Sequence, residues 1–137
     1  DNYLMPLIRY KIGDLAIKSS NESICRCGRN LPIINKIIGR DTDILHTPKH
    51  KILVVHFFTG IFEHFPEIKQ FQVEQIKKGG EIQIRYIKGV NFSKNILEKI
   101  KNKIYERAEE GFPLHFLNVE KIKPSPSGKP QIIIRAY

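Results

Sequence analysis

Long apolar runs are missing from this sequence. The longest, Ile52 to Val55 with His56, Phe57 and Phe58 behind it, is far too short to span a bilayer. The N-terminus lacks the basic, apolar, small-residue opening of a signal peptide. Cysteine is scarce, with two residues in 137. Cys25 and Cys27 are separated by one residue, a spacing that does not readily close an unstrained disulfide. No internal repeat or low-complexity tract appears, and no Ser-His-Asp or Cys-His-Asn order is legible. A Walker A loop is absent too: Ser127-Gly128-Lys129 lacks the upstream glycine and leads into a strand rather than a helix. An initiator Met is also lacking. Asp1 stands first, and the expectation is a piece of something longer.

What is present is ordinary for a globular chain. Hydrophobic residues make up 41% and charged residues 27%, which excludes disorder, collagen and a coiled coil. At this length a domain buries roughly two-thirds of its unfolded surface, enough for a core without staples. Lys plus Arg number 23 against 14 Asp plus Glu, for a net charge of +9. That balance permits anionic partners: nucleotides, nucleic acid, acidic lipid or phosphorylated cofactors. The lysines are spread along the chain, as solvated faces would also have them. Net charge alone decides nothing.

Periodicity divides the chain near Gly39 to Asp43. Before it, Leu15 to Lys18 reads as a short strand after a Gly13-Asp14 turn. After it, Lys51 to Val55 reads as a strand and His56 to Phe65 as a helix stopped by Pro66. Ile68 to Ile76 and Glu81 to Ile87 alternate across Lys77-Lys78-Gly79-Gly80, a hairpin. Ser93 should cap an amphipathic helix running to about Glu109, with Ile96, Leu97, Ile100, Ile104 and Tyr105 as its stripe. Strands at Leu114 to Ile122 and Gln131 to Arg135 flank a Pro/Ser/Gly loop. The expected class is α+β, with a ferredoxin-like β-α-β-β-α-β domain behind a short β-rich stub.

Three weak signals carry chemistry. Two thiolates, Cys25 and Cys27, are half of a structural zinc site, and they read equally as two reduced thiols in a cytosolic loop. Asp14, at a Gly-Asp turn, could accept hydrogen bonds from both hydroxyls of a ribose. Lys129, on a Gly-hinged loop, could reach a phosphate.

In order and spacing these signals form a pattern. Asn2-x-x-Met5-Pro6-Leu7-Ile8-Arg9-Tyr10-x-x-Gly13-Asp14 resembles a core motif of the adenylate-forming acyl/aryl–CoA synthetase superfamily. Cys25-x-Cys27-Gly28-Arg29-x-Leu31-Pro32 with Ile37-x-Gly39-Arg40 is similar to the phenylacetate–CoA ligase family. Asp43-Ile44-Leu45, His56-Phe57-Phe58 and Ile68-Lys69-Gln70-Phe71-Gln72-Val73 resemble its capsular-polysaccharide-biosynthesis branch. Ser127-Gly128-Lys129 resembles the superfamily's C-terminal lysine loop.

The resemblance implies the C-terminal third of a cytoplasmic AMP-forming ligase. Residues 1–40 would be the stub of the large ATP-binding domain, 41–43 the hinge and 44–137 the mobile lid. In such enzymes a carboxylate attacks the α-phosphate of ATP, supplied with Mg2+, and a thiol, usually coenzyme A, then takes the acyl group. By the same resemblance Asp14 would hold the ribose, Arg40 would contact the ribose or phosphate side, and Lys129 would be the catalytic cation. Asp41, Thr42 and Asp43 are joint pivot candidates, because Thr42 departs from the usual Gly-Arg-x-Asp-Asp. His46-Thr-Pro-Lys-His50 also replaces the Lys/Arg-Gly hairpin that helps admit coenzyme A, so another thiol acceptor stays open. The other ligands of a zinc site at Cys25 and Cys27 would be histidines of this chain (His46, His50, His56, His64, His115) or, by the resemblance, lie upstream of Asp1. The fragment alone should be inactive, with no membrane partner, and a homodimer is compatible with it.

Two rivals come from other classes. One is a basic RNA-binding module, whose discriminator is stacking aromatics on the central strands; Phe71 and Tyr86 are available, while the Lys/Arg-Gly-aromatic signature is missing. The other is a non-catalytic accessory domain, adenylate-forming by descent only.

Overall fold

The computed structural model describes residues 4, 8–20, 25–125, 128 and 130–137. Their contacts divide the chain into two units, Asp1–Asp41 and Thr42–Tyr137.

The first unit is a two-stranded antiparallel ribbon of β1 (Asp14–Lys18) and β2 (Ile34–Arg40). The ladder continues one step, with the Ser19 N–H donating to the Ile33 carbonyl at 2.8 Å. Gly39 faces Leu15, and the register slips between Leu15 and Ala16. Gly13 and Gly39 have φ of +80° and +144°. A Cβ at either would meet nothing within 4 Å, so glycine is needed there for backbone conformation rather than for space. The ribbon's Ile17, Ile34 and Ile37 are all exposed.

The second unit carries the core. A one-turn 3-10 helix, Asp41–Asp43, leads into a hairpin of β3 (Ile44–His46) and β4 (Ile52–Val54). Then come α1 (Val55–Phe62), β5 (Ile68–Gln75), β6 (Ile82–Lys88), α2 (Lys94–Arg107), β7 (Leu114–Asn118) and β8 (Ile133–Arg135). The α+β class and the helix-strand-strand-helix-strand alternation are as expected. The main sheet runs β7-β6-β5-β8, antiparallel in its centre and parallel at both edges. Its fourth place belongs to β8, because β4 pairs with β3 in a separate ribbon.

Helical spacing puts Phe58, Ile61 and Phe62 of α1 and Ile96, Ile100 and Ile104 of α2 on buried faces. They share one cluster with Val73, Ile82, Ile84, Tyr86, Leu114 and Ile133 of the sheet. Each fully buried Ile or Phe contributes roughly 1.5–3 kcal/mol. Truncating Ile100, which is 0% exposed, to Ala should cost about 2–5 kcal/mol. Helix α1 stops three residues short of the expected Phe65. There the His64 and Phe65 N–H groups turn back to Ile61 and Phe62 at 3.2 and 2.9 Å, a tightening that Pro66 then fixes. Ser93 does occupy the N-cap of α2 in extended conformation, but its side chain makes no capping bond.

Candidate functional site

The two residues expected at a nucleotide come together on the ribbon. Asp14 and Arg40 are direct cross-strand partners, and both are exposed. Each follows a glycine in positive φ. The Asp41 N–H donates to the Gly13 carbonyl at 2.7 Å, which ties the Gly-Asp step to the end of β2. The Asp41 carboxylate also lies 4.0 Å from the Lys11 ammonium. A carboxylate acceptor and a guanidinium donor thus belong to directly paired residues at one end of the ribbon, an arrangement suited to a polyol beside a phosphate.

Asp41 belongs to the ribbon unit, whereas Thr42 and Asp43 belong to the second. The Thr42 hydroxyl donates to the Asp43 carboxylate at 3.1 Å. Beyond them the 47–51 turn is clamped by residues the sequence did not single out. The buried Thr47 hydroxyl donates to the Glu109 carboxylate at 2.7 Å and accepts from the Lys51 N–H at 3.0 Å. Glu109 also accepts from the Lys49 N–H at 3.3 Å. The Lys51 ammonium caps the C-terminus of α2, donating to the carbonyls of Arg107 and Ala108 at 2.8 Å each. His50 supplies the left-handed turn residue, with φ of 64°. A hairpin is therefore present although the Lys/Arg-Gly pair is not. The anchor of this turn, Glu109, is remote in sequence.

Gln75 joins this end of the unit together. Fully buried, its amide nitrogen donates to the His46 and Gly80 carbonyls at 2.8 and 3.0 Å. Its carbonyl oxygen accepts from the His46 N–H at 3.1 Å and the Tyr137 hydroxyl at 2.8 Å. Desolvation raises the Tyr137 phenol, partly offset by nearby Arg135.

A zinc site gains no support from the residues described. Cys25 and Cys27 are free thiols, and among the described residues no group of three or more His, Cys, Asp or Glu gathers to hold a metal. Two thiolates leave a tetrahedral site half made. The Cys27 thiol is held below its ordinary value, first by a hydrogen bond with the Cys25 side chain and then by the Arg29 backbone.

Lys129 lies outside the described residues, as do Asn2 and Met5 to Leu7 of the first motif. The strand leaving the lysine loop is anchored: the Gln72 amide, 2% exposed, donates to the Gln131 carbonyl at 2.8 Å. Phe71 and Tyr86, the aromatics that a base-stacking surface would use, turn inward instead. Tyr86 is 5% exposed, and Phe71 stacks on Phe62 with ring centroids 3.9 Å apart. That removes the feature on which the RNA-binding reading depended.

No family model matches the chain. Protein CapK of Staphylococcus aureus is 30% identical over 130 residues, covering 94% of this chain and 29% of that protein. A 2-hydroxyisobutyryl-CoA ligase in its postadenylation state, bound to 2-HIB-AMP, superposes with a TM-score of 0.57 at 12% identity, over 90% of this chain and 27% of its own. An open conformation of that ligase, with 2-HIB-AMP and CoA, gives 0.51 at 14% identity, over 89% and 27%. The chain has the fold of one part of an adenylate-forming acid–CoA ligase. It spans less than a third of the length of each of these relatives.

Proposed function

We propose that this chain is the C-terminal part of an AMP-forming acid–thiol ligase, similar to the phenylacetate–CoA ligases, and that Thr42–Tyr137 is its mobile lid. The observation that carries the reading is the cross-strand pairing of Asp14 with Arg40. Two motifs well separated in sequence meet there, on a fold shared with ligases whose structures hold an acyl-adenylate.

Asp14 accepts hydrogen bonds from the ribose hydroxyls, and Arg40 engages the ribose or phosphate side. Lys129 supplies positive charge where the substrate carboxylate meets the α-phosphate. Negative charge accumulates at that point, and a cation in a water-poor site is worth several kcal/mol. The bond formed joins carboxylate oxygen to α-phosphorus, and pyrophosphate leaves. Coenzyme A or another thiol then displaces AMP. The pivot is residues 41–43, a reading supported by the bond of the Asp41 N–H to the Gly13 carbonyl and by the unit boundary after Asp41. A lysine carried by a moving domain can serve the first half-reaction and be withdrawn for the second.

The test is ATP–pyrophosphate exchange by the full-length protein across a panel of aryl and acyl acids. Exchange that depends on one acid supports the reading and names the substrate. No exchange with any acid, from a protein that binds ATP, counts against it and favours the accessory-domain alternative.

A further inference from the structure

Two turns meet at one end of the second unit. The turn joining β3 to β4 is closed by the His50 N–H donating to the Thr47 carbonyl at 2.9 Å. The turn joining β5 to β6 is closed by the Gly80 N–H donating to the Lys77 carbonyl at 2.8 Å. Gly79, with φ of +69°, lies against the first turn: a Cβ there would sit 3.5 Å from the Thr47 carbonyl oxygen and 3.7 Å from the Pro48 Cα. The buried Gln75 amide nitrogen holds a carbonyl on each side, those of His46 and Gly80. The two turns therefore make one platform whose backbone is set before anything binds, which lowers the cost of ordering a site on it.

The platform carries cations. Lys49 and His50 follow the contact on one turn, Lys77 and Lys78 precede it on the other, and all four are exposed. Other cations of the unit are engaged: Arg85 with Glu74, Lys103 with Glu106, Lys51 with the carbonyls ending α2, and Lys88 and Lys101 over aromatic rings. Among the described residues the ammonium groups of Lys49, Lys77 and Lys78 have no such partner. Two carboxylates bordering the turns are already in use. Glu109 accepts from the Thr47 hydroxyl and the Lys49 N–H, and Glu81 lies 3.8 Å from His115. An ammonium is a compact charge with three donors, suited to phosphate oxygens. The cations sit on two short turns rather than along a groove, which favours a compact anion over an extended strand. We propose that this end binds a compact anion with two phosphoryl groups, held between Lys49, Lys77 and Lys78. The inference stands apart from the ligase reading, since it uses neither Asp14, Arg40 nor Lys129.

The probe is inorganic pyrophosphate, titrated into the 137-residue chain at fixed ionic strength and followed by 15N amide shifts. Saturable shifts should centre on residues 48–50 and 77–80. A Lys77→Gln, Lys78→Gln double variant changes exposed positions only, and its thermal unfolding should match the parent. It should weaken pyrophosphate at least tenfold. A Lys94→Gln, Lys99→Gln double variant removes the same charge from α2 and should weaken it less than twofold. Adenosine diphosphate is the second arm: shifts at the same turns would show that a phosphate ester is taken as well as the free ion, and shifts on the β1–β2 ribbon alone would restrict this end to the free ion. Pyrophosphate shifts centred on Asp14 and Arg40, or equal loss in the two double variants, would overturn the site. Sulfate binding as tightly as pyrophosphate would overturn its preference for two phosphoryl groups.

Discussion

Asp14 and Arg40 face each other across β1 and β2, each directly after a glycine in positive φ. The pairing turns two sequence motifs into one local group. In the full-length protein, Asp14→Ala and Arg40→Ala should each weaken ATP use about 10–100-fold. That is the worth of one or two hydrogen bonds to a charged group, roughly 1.5–3 kcal/mol. Steady-state kinetics against ATP would check it. Arg40→Lys should recover only part of the loss, since an ammonium cannot reproduce the planar fork.

The clamp on the 47–51 turn predicts a stability effect without a nucleotide effect. Glu109→Ala leaves the buried Thr47 hydroxyl without its acceptor and should destabilise the second unit by about 1–3 kcal/mol. Thr47→Val, which removes the hydroxyl and keeps the volume, should cost less than Glu109→Ala. Urea unfolding of the three proteins would measure the order.

Burial raises the Tyr86 phenol above its ordinary value. The folded state therefore holds that proton more tightly than the unfolded chain. Its contribution is fully present below the ordinary tyrosine range near 10 and is lost as pH rises through the higher folded value. Tyr86→Phe should consequently flatten the loss of stability above pH 10 and leave the pH 7 to 9 region unchanged in shape. Thermal unfolding across that range would detect the difference.

Much of the second unit was legible because its elements repeat their pattern long enough. The Ile96-Ile100-Ile104 stripe and the alternating strands around Gly79-Gly80 each match one period. β3 was not legible: Ile44-Leu45-His46 is three residues long and pairs only with β4, so no alternation develops. β2 was hidden for another reason. Ile34-Asn35-Lys36-Ile37-Ile38 breaks the period of two, and the ladder has register shifts that accommodate it. At the candidate site, sequence identified Asp14 and Arg40 separately, while their juxtaposition needed the register. The Thr47–Glu109 bond and the contacts of Gln75 with His46 and Tyr137 had no local signature, because their partners come from elsewhere in the chain.

In the proposed mechanism Lys129 serves adenylation and not thiol transfer. The most direct test compares the full-length protein with its Lys129→Ala variant in both half-reactions. These are ATP–pyrophosphate exchange with the preferred acid, and thioester formation from the preformed acyl-adenylate. Exchange should fall at least 100-fold, about 2.7 kcal/mol, while transfer from the supplied adenylate stays within threefold. A variant that exchanges as fast as the parent would contradict it.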